Sequence, residues 1–148
     1  MFVSPIEPAK GVIQSSNNDG STSYTNLSVG SKQKKKKKKI LIIGGNGTIG
    51  KKVTEYFKSK YEVLIGGRTN SDVEIDISKS QSIENAFSEI GKLDAIICIA
   101  GEAKWDKFEN LTEEDYYIGL RSKLMGQVNL VRIGRKYLNS KGSIYSTR

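Results

Sequence analysis

Four consecutive apolar residues, Ile40 to Ile43, run straight into the glycines of G-G-N-G-T-I-G, and a helix-like pattern opens after them. No other stretch limits the choice of fold as tightly as Lys39–Gly50. A short continuous apolar run fits a strand buried on both faces, as in a parallel sheet. Gly44, Gly47 and Gly50 fall three apart, and Gly45, Gly47 and Gly50 also spell G-x-G-x-x-G. In such a loop one glycine turns the chain out of the strand and another lets backbone approach a pyrophosphate. The last lets the helix pack on the sheet. Unpaired N–H groups at the helix start then face the phosphates, with the helix dipole assisting. A purely structural glycine turn is the rival reading, and the rest of the chain decides between them.

Downstream, helix and strand patterns alternate. Val53, Tyr56 and Phe57 recur at helical spacing, so residues 48–59 read as an amphipathic helix. Residues 62–66 form a second strand around Val63, Leu64 and Ile65, and residues 73–77 a short third. Ser80 is placed to cap a helix over 81–90, on which Ile83, Phe87 and Ile90 share a face. Residues 93–100 are the strongest strand, with Cys98 as a small core residue among isoleucines. A polar loop, 101–111, carries Trp105 and Phe108. Thr112 and Asp115 then have capping-box spacing. A long helical segment follows to Leu138, with Leu124, Val128 and Val131 at core spacing. Gly119, Gly126 and Gly134 interrupt it as marks of close packing or a kink. Beyond Gly142, residues 143–147 begin another strand. The order β-α-β-β-α-β-α-β predicts an α/β fold: a Rossmann-like, doubly wound parallel sheet of about five strands over residues 40–148.

Charge separates the two ends of the chain. Residues 1–39 carry eight lysines against Glu7 and Asp19, so about +6 of the formal +8 sits there. Residues 40–148 hold 16 basic and 14 acidic side chains, close to balance. The first 33 residues are rich in Ser, Asn, Thr and Gly without a sustained period. Residues 1–39 are therefore expected to be a disordered basic tail, short of the apolar surface that ordering requires. The run Lys34–Lys39 admits a nuclear-localisation or nucleic-acid reading. A solvated, self-repelling linker is the favoured one, and no aromatic interleaves with the lysines. The chain contains no histidine and a single cysteine, against His-based triads, a metal centre and an internal disulfide. No apolar run approaches the ~18 residues of a membrane span, and no secretory signal is apparent. The expected setting is cytoplasmic, with a nuclear alternative through the lysines.

The second strand ends in Gly66-Gly67-Arg68-Thr69, roughly 20 residues beyond the glycine loop, where a dinucleotide fold tests the adenosine ribose. An Asp or Glu there accepts from a 2′-OH. Arg68 cannot accept, but pairs well with a 2′-phosphate. The expected cofactor is therefore NADP(H) ahead of NAD(H), with a solvated turn arginine as the bland alternative.

With these residues in hand, residues 40–148 resemble the short-chain dehydrogenase/reductase family. The loop Gly44, Gly45, Asn46, Gly47, Thr48, Ile49, Gly50 resembles that family's cofactor loop. Asp76-Ile77 resembles its Asp–aliphatic pair beside the adenine, and Ile99-Ala100-Gly101 stands where the family usually writes N-N-A-G. The resemblance implies cofactor contacts at Asp76, Ile77, Ala100 and Gly101, which join Arg68 and Thr69 at the end of the second strand. It also implies a small carbonyl or alcohol substrate, and a homodimer through the helix at 113–138.

Departures from the pattern carry equal weight. The family's active-site Asn falls at Lys123, and the final strand ends about where the catalytic Ser is expected. A Tyr-x-x-x-Lys pair in which lysine lowers the tyrosine pKa has no place after that strand. Tyr56-x-x-x-Lys60 and Tyr137-x-x-x-Lys141 both come too early. No catalytic residue is assigned. The expectation is an atypical, C-terminally truncated relative, whose last strand is an exposed edge and whose sheet is partly uncovered. Three functions compete: an NADP(H)-dependent oxidoreductase, a non-catalytic dinucleotide-binding or interaction module, and a lysine-driven nucleic-acid binder. The first is preferred for ancestry and cofactor.

Overall fold

The computed structural model describes residues 12–16, 19–20, 22–26 and 36–147, and the chain divides after Lys36 into two units. In the first unit, β1 (Val12–Ser16) and β2 (Thr22–Asn26) pair antiparallel, with Val12 opposite Asn26. The sequence expects no ordered element there. The two strands are a local pairing, and a lone two-stranded hairpin is marginal by itself. The rest of the expected tail, including Lys34 and Lys35, lies outside the described residues. Lys39 belongs to the second unit. Its N–H donates to Asp94 Oδ2 at 2.8 Å and its ammonium to the Ile90 carbonyl at 3.0 Å, so it begins the sheet.

The second unit holds β3 (Lys39–Ile43), α1 (Thr48–Lys58), β4 (Glu62–Gly67), β5 (Val73–Glu74), α2 (Ser80–Ile90) and β6 (Leu93–Cys98). After these come α3 (Glu113–Gly119), α4 (Gly126–Gly134) and β7 (Leu138–Ser146). The strands form one five-stranded sheet, ordered β5-β4-β3-β6-β7 and parallel throughout. β3 is central, with Leu41 opposite both Leu64 and Ile96. The chain first winds outward from β3 through β4 to β5, then crosses back to β6 and β7. This reversal opens a crevice at the carboxyl ends of β3 and β6, the usual ligand position in open α/β sheets.

Ile40 to Ile43 are all buried because both sheet faces are covered at the centre. One face carries the main core: Leu41, Ile43, Ile96 and Cys98 pack against Ile83 and Phe87 of α2 and Leu130 and Ile133 of α4. Phe87 is completely buried and stacks on Tyr137 at 5.3 Å, so truncating it to Ala would cost about 3–5 kcal/mol. On the other face, Ile40, Val53, Phe57, Ala95, Ile97 and Tyr145 surround an open groove of about 450 Å³. β7 is an edge strand, and Tyr145 is exposed beside this groove.

Five local readings change, the first being that the last strand begins at Leu138, ahead of the expected 143–147, with Gly142 inside it. Ser80 is the first residue of α2 and does not cap it; Lys79 precedes the helix without a side-chain cap bond. The third strand is shorter than 73–77, because after Glu74 the chain bends toward α2, where the Asp76 N–H donates to Ser82 Oγ at 2.9 Å. On α1 it is Gly50 and Thr54 that are buried, while Tyr56 points to solvent. On the long helical segment, Leu124, Val128 and Val131 are exposed, and the sheet is met by Gly126, Leu130, Ile133 and Gly134. A Cβ on Gly126 would lie 3.0 Å from Ile77, and one on Gly134 2.9 Å from Ile96. The glycines let the helix approach closely, which turns its bulkier apolar residues outward. Thr112 and Asp115 do form the expected capping box at the start of α3.

Candidate functional site

The glycine loop is built from three different steric demands. Gly44 has φ +84°, a conformation L side chains rarely adopt, and a Cβ there would stand 2.8 Å from the Ala100 amide nitrogen. Its N–H donates to the Gly66 carbonyl at 2.9 Å, which ties the loop to β4. At Gly50 a Cβ would fall 2.0 Å from the Gly44 carbonyl oxygen, so α1 can lie against its own loop only with glycine there. Gly45 faces inward against Thr54 and Ile65. Gly47 is different: it caps α1 with φ −71°, and a Cβ would meet just the Gly44 oxygen at 3.4 Å. The packing of the protein itself hardly requires a glycine at Gly47, and the space beside it is open.

α1 starts with no side-chain cap and no acidic residue in its first turn. The amides of Thr48, Ile49 and Gly50 therefore keep the positive end of the helix free for an anion. Thr48 and Ile49 are exposed beside them. Asn46 donates from its side chain to the Asn70 carbonyl, linking the glycine loop to the turn after β4, where Asn70 has φ +49°.

Beside this helix start lies a cleft of about 210 Å³ lined by Ile43, Gly44, Gly67, Arg68, Asp76, Ile77, Ala100, Gly101, Glu102 and Ser122, among others. Ligand pockets usually run to about 300–1,000 Å³, so this cleft is one compartment of a larger site. Six of the sequence-assigned residues meet in it: Gly44, Arg68, Asp76, Ile77, Ala100 and Gly101. Gly45, Asn46, Gly47, Thr48, Ile49 and Gly50 form the adjoining loop and helix start, while Thr69 is exposed in the turn and does not line the cleft. Burial acts to raise the Asp76 pKa. The Ser78 hydroxyl (2.7 Å) and amide (3.0 Å), then Lys79 and Arg68, outweigh it and hold the carboxyl below its usual value. Asp76 is thus a fixed carboxylate against the apolar wall of Ile75 and Ile77, suited to accept from an amino or hydroxyl group.

Six lining residues are not among those the sequence assigns (Ile43, Gly67, Ile75, Ser78, Glu102 and Ser122), and the last two bear on Arg68. Glu102 pairs with Arg68 across the cleft, and Ser122 pins Glu102 by its main chain, 3.0 Å from its nitrogen and 2.9 Å from its oxygen. Ser122 reaches the cleft where the helix between α3 and α4 widens to π geometry, Leu120–Met125. Such widenings are frequent at functional sites, and no local sequence signal marks this one beyond the flanking Gly119 and Gly126. Lys123 lays its carbon chain over Gly101. Neither early Tyr-x-x-x-Lys pair lines the cleft. Tyr56 is exposed with the Lys60 ammonium 5.1 Å from its ring, and Tyr137 sits 3.2 Å from Ser88 Oγ on Phe87. Among the described residues no cluster of three metal-ligating side chains occurs, and no helix is long and apolar enough to cross a membrane.

The sequence profile of the NAD dependent epimerase/dehydratase family matches residues 40–147, the whole sheet and its crevice. The chain belongs to that family. Together with its solved neighbours this puts the epimerase/dehydratase domain among the short-chain dehydrogenase/reductases, as its motifs anticipate. The protein lin1944 from Listeria innocua is 42% identical, with TM-score 0.70, over 72% of this chain and 54% of its own. A small-chain dehydrogenase in complex with NADPH is 26% identical, with TM-score 0.67, over 74% of this chain and 50% of its own. A short chain dehydrogenase from Leptospira borgpetersenii with bound NAD+ shares the fold at 23% identity and TM-score 0.63, over 75% and 51%. The comparison of this chain with curated proteins gives no match. The chain spans about half the length of the solved structures it matches.

Proposed function

We propose that the chain binds NADP(H) in preference to NAD(H) and serves hydride transfer between that cofactor and a small carbonyl or alcohol compound. The observation that carries the reading is that one cleft gathers Gly44 of the glycine loop with the side chains of Arg68 and Asp76, while the uncapped helix start adjoins it through that loop. The amides of the α1 start would take the pyrophosphate. Arg68 would take a 2′-phosphate by its fork of donors, and Asp76 with Ile77 would flank the adenine. A solved neighbour with NADPH bound supports the same assignment. The nicotinamide, when bound, supplies the hydride. What this chain contributes is orientation of the adenosine end and the anion site.

A second reading, a dinucleotide-binding module without turnover, is favoured by one observation. Among the described residues no tyrosine lines the cleft. The exposed stripe Tyr117, Leu120, Leu124, Val128 and Val131 is further proposed to meet a second copy of the chain.

Titrating NADPH and NADH fluorescence against the protein tests the cofactor. We expect saturable NADPH binding that R68Q weakens selectively; no NADPH binding at high micromolar concentration ends the reading. Steady NADPH oxidation with a panel of aldehydes and ketones would dismiss the module.

A further inference from the structure

Arg68 and Glu102 close the cleft from opposite sides. Arg68 follows β4 and Glu102 follows β6, and Nη2 of the arginine meets Oε1 of the glutamate. The residues are 34 apart in sequence, so the reversal of the sheet about β3 is what brings them together. An exposed ion pair is usually worth little, because two long side chains must be ordered to form it. Here part of that ordering is already done. The Glu102 N–H donates to Ser122 Oγ, whose one hydroxyl proton is shared between the carbonyls of Glu102 (2.9 Å) and Ile118 (2.8 Å), so the carboxylate starts from a tethered main chain. Asp76 does not take its place, being engaged by Ser78 and by Lys79 at 3.6 Å. Among the described residues that line the cleft, Arg68 is the one cation and faces two carboxylates. A dianionic phosphate arriving at Arg68 therefore meets a guanidinium that is already neutralised.

We propose that Glu102 is a specificity-determining residue: its carboxylate competes with the cofactor's 2′-phosphate for Arg68, and so narrows the preference for NADP(H) over NAD(H). The inference rests on the assignment of the cleft to the adenosine end of the cofactor. When NADP(H) binds, Arg68 exchanges carboxylate for phosphate, and Glu102, whose side chain is 53% exposed, turns out to water. When NAD(H) binds, the pair stays intact and the 2′-OH donates to the Glu102 carboxylate.

The test uses the full chain and four ligands: NADPH, NADH, 2′,5′-ADP and 5′-AMP, the last two isolating the 2′-phosphate. E102Q keeps the side-chain shape and removes the charge, and E102A serves as a second variant. Both are expected to tighten NADPH and 2′,5′-ADP by about threefold or more while leaving NADH and 5′-AMP unchanged or weaker. In an R68Q background the gain should vanish. An NADPH affinity unchanged in both variants, an equal gain for NADH, or a full gain in the R68Q background would each overturn the competition. Wild-type protein that binds none of the four ligands removes the cofactor assignment itself, and this inference with it.

Discussion

Replacing Gly47 by alanine separates what the fold needs from what its ligand needs. Gly47 sits at φ −71° and ψ 172°, which alanine adopts freely, and a Cβ there makes one ordinary contact of 3.4 Å. The cost to folding is confined to the weaker N-cap, under about 1 kcal/mol, or a few degrees in melting temperature. Gly50→Ala is the contrasting variant. Its Cβ would fall 2.0 Å from the Gly44 oxygen and 2.8 Å from Gly45 Cα, so α1 and its loop must part. That places it near the top of the overpacking range, about 3 kcal/mol, or about 12 °C or more for a unit of this size. In the bound state the order reverses. A methyl at Gly47 occupies the space through which backbone approaches the pyrophosphate, and NADPH affinity should fall about tenfold or more, ~1.4 kcal/mol. Thermal melts with and without saturating NADPH read both effects, since a ligand at about 100 times its Kd adds ~2.7 kcal/mol. G47A should melt near wild type and lose about half or more of the cofactor shift. A G47A protein that melts as low as G50A, or that binds NADPH as wild type does, refutes the division of labour.

Three carboxyl groups, Asp76, Asp106 and Asp115, are held low, and two of them illustrate the acid stability. The Thr112 amide, the Lys104 ammonium and the Thr112 hydroxyl together hold Asp115 below its usual value; Asp76 is also held low, its hydrogen bonds and neighbouring cations outweighing burial. Both therefore stabilise the fold above the unfolded carboxylate value of about 4, and that contribution is lost as pH falls through the depressed folded values. Urea midpoints should be flat from about pH 5 to 7 and decline below about 4, with a shallower decline in D115N; identical acid limbs would contradict this. For the outward stripe of α4 and the preceding turn, L124K puts a charge on both copies of a twofold contact. It should raise the dimer dissociation constant about a hundredfold in sedimentation velocity, and a wild-type protein that sediments as a monomer rejects the pairing.

The motif-bearing half of the site is legible because its causes are local. Ile40–Ile43 followed by glycines fixes a strand, a turn and a helix start within a dozen residues. Arg68 directly follows β4 and Asp76 lies two residues past β5, strands that the alternation of the sequence announces. What escapes notice depends on distant partners. Glu102 looks like any loop acid until β6 sets it opposite Arg68, and Ser122 needs the π-widened turn to reach it. The outward placement of Leu124, Val128 and Val131 is a different kind of miss. Periodicity identifies an apolar face, but two faces were available, and the one bearing Gly126 and Gly134 could come closer to Ile77, Ile96 and Phe87. Close approach of small residues won over bulk.

Cys98 is the chain's single cysteine, completely enclosed at the end of β6, and burial lifts its thiol above the ordinary value despite the Ala100 main chain and Lys123. The protein therefore carries a native reporter that stays silent while the fold is closed. A thiol-reactive dye added without any engineered label would count openings of the central sheet directly beneath the crevice, and occupancy of that crevice would be read as a slower clock.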